Sequence, residues 1–174
     1  MADIKTKYPS TSSTDLTISL ASLASGSAGV YTTGRESAAV DNTSNEDLDH
    51  LVSGIVTTGT SPTASRAINI YAYANISSSS GTPTYPDVLD GTDSDETFTS
   101  ANVMLSAVRL VASITTDNTS NRAYYFGPVS IASLFGGSLP KFWGVFVAHD
   151  SVVALNSTAG NHKISYERIQ AQSV

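Results

Sequence analysis

The chain has 174 residues and a mass of 18.1 kDa, the size of one ordinary domain, and its apolar fraction of 40% is enough for a core. Ser and Thr supply more than a quarter of the residues; because they favour strands and turns over helices, this composition excludes a mainly helical fold, and the apolar content excludes a disordered chain. The net charge is −6 and the nine Lys and Arg residues are spread singly, which excludes the basic stripe that nucleic acids or anionic membranes require.

The N-terminal region divides into an arm and the start of a domain. Residues 1–14 contain Pro9 and a Ser/Thr cluster without periodicity, which predicts an extended N-terminal arm. The alternation of Leu16, Ile18 and Leu20 predicts a first strand with one buried face. We therefore expect an arm followed by one domain over residues 15–174.

Two clear strand patterns follow. Residues 51–58 and 67–76 flank a turn-rich connection, which predicts a β-hairpin. In the second strand, Tyr71 and Tyr73 alternate with apolar residues and so share the opposite face. That face could stack on sugars, anchor a protein interface, or serve only for cross-strand packing.

Residues 77–96 form the longest predicted loop. Twenty residues without regular structure are uncommon in a compact domain and are typical of functional or interfacial segments. Their acidic run offers Asp90, Asp93 and Asp95 as weak calcium candidates, because carboxylate oxygens at this spacing suit Ca²⁺. The spacing does not match the EF-hand pattern, so a solvated loop or a contact with a neighbouring subunit is favoured, and no metal or other cofactor is predicted.

The remaining pattern is again rich in strands. A single helical turn, ended by glycines, is predicted at 131–137, and strands are predicted at 105–116, 122–130, 141–149 and 164–171. Eight to ten strands with almost no helix predict an all-β fold. We expect an antiparallel β-sandwich of jelly-roll type.

No catalytic constellation emerges from the sequence. The chain has no cysteine, which excludes disulfides, thiolate nucleophiles and zinc–cysteine sites and favours cytosolic synthesis. His149, Asp150 and Ser151 are the residue types of a hydrolase triad, but consecutive strand residues point to opposite faces and cannot form the relay. Almost all acidic residues lie in predicted turns, so no pair of carboxylates faces across a cleft. We predict no catalytic residues and no enzymatic activity.

Membrane insertion is not expected either. No apolar run approaches the roughly 20 residues that a membrane-spanning helix needs. The apolar residues near the N-terminus alternate with polar ones, which is typical of a strand and not of a signal peptide. The sequence therefore predicts no membrane partner.

The last third of the chain carries a recognisable pattern between Tyr124 and Val147. A strand with Gly-Pro is followed by a short Phe-Gly-Gly element, Leu-Pro and a Trp-Gly strand, and Tyr166 lies in the closing strand. This pattern resembles small structural proteins encoded in the virion modules of tailed bacteriophages. The resemblance implies a β-sandwich virion protein, either a capsid cement (decoration) protein or a tail or baseplate component.

The cement function is the leading expectation. Such a protein would be assembled in the host cytoplasm, remain in the virion, form a homo-oligomer, and bridge the major capsid protein or other virion proteins by multivalent contact. The expected contact regions are the arm, the 77–96 loop and the turn at 135–140. The interface candidates are Tyr71, Tyr73, Pro83, Tyr85, Phe135 and Leu139. A tail or baseplate component, and a carbohydrate-binding jelly roll using the two strand tyrosines, are the alternatives.

Overall fold

The computed structural model describes residues 3–9, 13–79 and 82–173. Parts of the predicted arm (residues 1, 2 and 10–12) and of the predicted long loop (residues 80 and 81) therefore lie outside the described residues. Within the described ranges, the regular elements are two short helices, one 3₁₀ turn and thirteen strands. The strands are β1 (Ile4–Lys7), β2 (Ser13–Asp15), β3 (Thr33–Glu36), β4 (Val40–Asp41), β5 (Asp49–Thr57), β6 (Ala67–Ala74), β7 (Ser77–Ser79), β8 (Thr82–Thr84), β9 (Ser94–Thr97), β10 (Arg109–Thr115), β11 (Ala123–Ser130), β12 (Phe142–His149) and β13 (Lys163–Ser173); the helices are α1 (Ala101–Ala107) and α2 (Ile131–Leu134), and the 3₁₀ turn is Ala159–Asn161. No helix in the described ranges is long and apolar enough to span a membrane.

The strands form two antiparallel sheets. The first has the order β1-β13-β5-β11, with β2 also paired to β13, and the second has the order β10-β6-β12-β3-β9, with β4 paired to β12. Counting β1, β3, β5, β6, β10, β11, β12 and β13 as main strands one to eight, the two sheets have the orders 1-8-3-6 and 5-4-7-2. This is the strand order of a jelly roll, so the predicted all-β antiparallel sandwich of that type is confirmed.

One local prediction about the strands is wrong. β5 lies in the first sheet, between β13 and β11, whereas β6 lies in the second, between β10 and β12, so they do not form a hairpin. Residues 58–66 instead carry the chain from one sheet to the other. A strand with one buried face has a two-residue period whether its chain neighbour pairs with it in a hairpin or lies in the other sheet. Periodicity therefore cannot distinguish a hairpin from a crossing between sheets.

The main core fills the space between the sheets. Ile68 and Ile70 of β6 face Val52 and Val56 of β5, and all four are fully buried around Trp143 of β12. Burial of side chains of this size supplies about 1.5–3 kcal/mol each.

The segment after β2 closes one side of this core. Leu16 and Leu20 are buried, as their alternation with polar residues predicts, but strand pairing ends at Asp15. The predicted strand from that residue is therefore only partly correct. The alternation of apolar and polar residues predicts which side chains are buried, but it does not predict whether the backbone pairs with a neighbouring strand.

A second apolar layer covers the outer face of the second sheet. We call residues 85–108 the covering segment; it contains β9 and α1 and buries Leu89, Phe98 and Met104 against that face. The prediction of a structureless loop at 77–96 is wrong, because β7 pairs with β8 and β9 pairs with β3.

The start of α1 explains a second difference from the sequence pattern. Ser100 caps the helix by accepting a hydrogen bond from the Val103 N–H at 3.2 Å. Residues 105–107 therefore belong to the helix, and the strand predicted from Leu105 begins only at Arg109.

Candidate interaction surfaces

Tyr71 and Tyr73 lie beneath the covering segment. Their exposed fractions are 6% and 0%, and the Tyr73 hydroxyl donates to the Ser37 carbonyl oxygen at 2.8 Å. The Tyr73 ring packs edge-on against Tyr85, with 5.6 Å between centroids. The prediction that these two tyrosines form an exposed interface or sugar platform is wrong, because the chain's own segment occupies that face.

A glycine makes room for this packing. Gly144 of β12 lies directly opposite Tyr73 of β6, and a Cβ atom at Gly144 would overlap the Tyr73 ring. The missing side chain lets the ring lie against β12. Gly144 is therefore part of the reason why the tyrosine face is internal.

A buried carboxylate holds the covering segment in place. Glu36 of β3 has no exposed surface, and its carboxylate accepts hydrogen bonds from the backbone N–H groups of Gly91, at 2.8 Å, and Asp90, at 3.2 Å. Burial raises the pKa of Glu36 above its ordinary value, although the backbone hydrogen bonds oppose the shift. Ionising this residue in the folded state therefore costs stability.

This shift predicts a specific pH dependence. Because the folded pKa of Glu36 is raised, the folded state binds more protons than the unfolded state, and stability falls as pH rises from the ordinary Glu value of about 4.3 through the folded value. In Glu36→Gln this contribution disappears. Urea unfolding of both proteins across that pH range should show the wild type losing stability relative to the variant as pH rises. At pH values above the folded pKa, the difference in unfolding free energy between the two proteins should stay constant. A difference that does not change with pH would contradict the assignment.

The three weak calcium candidates do not form a cation site. Arg35 Nε contacts Asp93 Oδ1 at 2.6 Å, and Arg35 Nη1 contacts Asp95 Oδ1 at 3.1 Å, so one guanidinium already pairs with two of the carboxylates. Asp90 accepts hydrogen bonds from the backbone and side chain of Thr92. Across residues 3–9, 13–79 and 82–173, no group of three or more His, Asp or Glu residues could hold a metal ion.

Of the three triad-type residues, Asp150 does not contact the other two through its carboxylate. His149 Nδ1 lies 2.9 Å from Ser151 Oγ, but Asp150 turns away and accepts hydrogen bonds from the N–H groups of Ala67 and Gly29. His149, Asp150 and Ser151 are all buried. The prediction that they form no relay is confirmed.

The other interface candidates lie at or near the surface. Pro83 is half-buried in the β7–β8 hairpin, and Tyr85 is half-buried against Tyr73. Leu139 and Phe135 are half-buried and pack on the main core. None of these four has the full exposure expected of a free contact residue.

Phe135 nevertheless borders a groove that joins two of the predicted contact regions. The groove has a volume of about 310 Å³, and Phe135 and Pro86, from distant parts of the chain, both line it. Ile76 at its edge is 69% exposed. Its one charged lining residue is Arg109, whose guanidinium donates to the backbone carbonyls of Ser106 and Val108. The groove is therefore mainly apolar, with one cationic residue.

In the described part of the predicted arm, β1 is extended and is held by the end of β13. β1 pairs antiparallel with the last residues of β13, from Ile4 opposite Ser173 to Lys7 opposite Gln170. All four β1 side chains are exposed, Ile4 to 78%. We call β1 together with residues 170–173 the terminal ribbon. A two-stranded ribbon with so little burial has little intrinsic stability.

Sequence reasoning missed a buried ionic cluster around Asp47. Its side chain has no exposed surface, and it accepts hydrogen bonds from His50 Nε2 at 2.9 Å, Arg168 Nε at 2.7 Å and Gln170 Nε2 at 2.8 Å. Trp143 Nε1 donates to His50 Nδ1 at 2.9 Å, so His50 is neutral with its proton on Nε2. Burial, as the largest effect, lowers the pKa of His50 in agreement with this tautomer.

This cluster joins β13, through Arg168 and Gln170, to the core around Trp143. The only sequence signal for it is an Asp three residues before a His, in a stretch that otherwise reads as a turn. No buried side-chain polar atom of the cluster lacks a hydrogen-bond partner in the described structure, as is typical of a structural arrangement.

Comparisons with known proteins add no relative. No protein-family model, curated protein or solved structure matches this chain.

Proposed function

We propose that this protein is a non-enzymatic structural component of a bacteriophage particle, a capsid cement protein that binds the coat through the groove beside Phe135. The observation that carries the proposal is that two of the three expected contact regions, the 77–96 region through Pro86 and the 135–140 turn through Phe135, meet at one apolar groove. The jelly roll supports it, since this fold occurs in viral capsid domains, but fold alone does not assign function.

The occupant of the groove is an apolar segment of a coat subunit. Exposed Ile76 and the half-buried Phe135 and Val103 supply apolar contact, and Arg109 supplies the one positive charge. The matching segment therefore carries apolar side chains and an acidic residue. Many copies on one shell make a weak single contact sufficient.

The location is tested by immunogold electron microscopy of particles from the source of the protein. Gold spread over the heads supports a cement protein, and gold confined to tails moves the protein to a tail or baseplate position. Absence of gold from all particles would overturn the virion proposal.

The groove is tested by an apolar-to-acidic substitution at its edge. Ile76→Asp should reduce binding to purified particles by about tenfold or more, because it places a charge in the apolar contact. Val152→Asp is the matched control, since Val152 is 59% exposed and does not line the groove. Co-sedimentation with particles measures both. Equal binding of the two variants would show that the groove is not the contact.

A further inference from the structure

We propose that two copies of this chain associate as a twofold dimer in which β1 of each copy pairs with β9 of the other. The proposal does not depend on the virion function, because it concerns contacts between copies of the chain alone. Its basis is a pair of free sheet edges with opposite charge.

Both strands lie at an open edge. Within the described ranges, β1 pairs only with β13, and β9 pairs only with β3. Each is four residues long, so the two edges match in length. Unpaired N–H and C=O groups on such edges are a template for pairing with another chain.

The two edges carry opposite charge. β1 has Lys5 and Lys7, which are exposed and have no ion-pair partner in the part of the chain that the structure describes. β9 has Asp95, whose side chain is 72% exposed, followed by Glu96. Arg35 contacts Asp95 but also Asp93, so the β9 edge stays acidic. Like edges therefore repel, and unlike edges attract.

The charge match does not depend on which way the strands face. Lys5 and Lys7 are two residues apart and share one face of β1, whereas Asp95 and Glu96 are consecutive and point to opposite faces of β9. Either orientation of the pairing therefore places one carboxylate on the lysine face. Cross-strand pairs of opposite charge stabilise such a contact.

The strand order makes the contact reciprocal. β10 and β11, the other outer strands of the two sheets, contact each other at one side of the sandwich. β1 and β9 lie at the other edges of the two sheets, and β2 lies beside β13 at the same edge as β1. Two copies that meet at these edges can thus form both β1–β9 pairings at once, which gives a closed twofold dimer.

The association also accounts for the terminal ribbon. Its side chains bury almost nothing within one copy, although a ribbon with no covering layer is only marginally stable alone. Pairing with β9 of a second copy would place the terminal ribbon inside one continuous sheet that extends across both copies.

Charge-swapped variants test the proposal. Lys5→Glu with Lys7→Glu, and separately Asp95→Lys with Glu96→Lys, should each raise the dimer Kd by about tenfold or more, because each brings like charges together. An equimolar mixture of the two variants should dimerise again, since both contacts of the mixed dimer become complementary. Sedimentation velocity in low-salt buffer measures all three, and added salt should weaken the wild-type dimer.

A matched control separates the contact from net charge and from misfolding. Lys141→Glu with Lys163→Glu changes the net charge as much as the first variant but lies outside β1 and β9, and it should dimerise like the wild type. A wild type that stays monomeric would overturn the proposal. So would single variants that dimerise normally, or a mixture that remains monomeric while each variant is folded by circular dichroism.

Discussion

Replacing Asp47 by Ala is expected to lower the free energy of unfolding by about 3–5 kcal/mol, because it leaves Arg168, His50 and Gln170 partly buried without their shared acceptor. For a domain of this size, the loss corresponds to a Tm lower by roughly 6–20 °C. Urea and thermal unfolding measure it. Asp15→Ala is the control, since Asp15 is 63% exposed and its ion pair with Lys163 contributes at most about 1 kcal/mol. Equal losses in both variants would contradict the structural role of the cluster.

The same residue determines part of the acid sensitivity. Burial alone would raise the pKa of Asp47, but the hydrogen bonds from Arg168, His50 and Gln170 outweigh it and hold the pKa below its ordinary value. A depressed folded pKa stabilises the protein above the ordinary Asp value, and this contribution is lost as pH falls through the folded value. Asp47→Ala should therefore lose less stability than the wild type between about pH 4 and the folded pKa.

Replacing Phe146 by Ala is expected to cost about 3–5 kcal/mol and to release the covering segment. Phe146 has no exposed surface and stands between the second sheet and that segment, with its ring centroid 5.1 Å from Phe98 and 6.5 Å from Tyr71. Its removal leaves a cavity under Phe98. Amide hydrogen exchange should therefore rise most in residues 85–108, in addition to the global loss measured by urea unfolding.

The control for this variant is a substitution at an aromatic residue that lies on the surface and is not buried under the covering segment. Tyr125 is 72% exposed, and Tyr125→Ala should change the free energy of unfolding by no more than about 0.5 kcal/mol. If Phe146→Ala accelerated exchange equally throughout the chain, the covering segment would not be a separable layer.

The sequence predicts the sandwich but not what lies over it. The alternation of Ile68, Ile70 and Ala72 identifies β6 and its buried face, because one side of a strand must face a core. The opposite face, with Tyr71 and Tyr73, has the composition of an exposed aromatic surface. Only the path of residues 85–108 decides that this face is internal, and that path depends on non-local contacts such as Glu36 with Gly91.

The candidate surfaces were predictable to different degrees. The 77–96 region and Phe135 were predicted as contact regions, but their meeting in one groove depends on where β6 and α2 end in space. The Asp47 cluster was not predictable, since its partners His50, Trp143 and Arg168 lie on three strands. The strand order that unites them has no local sequence signal.

The position of β13 constrains when this chain can fold. β13 is the last described strand in chain order, yet it lies inside the first sheet, between β5 on one side and β1 and β2 on the other. Until β13 has been synthesised, β1 and β2 lack the strand with which they pair in the described structure, and Trp143 lacks the side of the core that Ile164 and Tyr166 provide. The first sheet therefore closes only once β13 is available, and a chain truncated before residue 163 would leave this sheet divided in two.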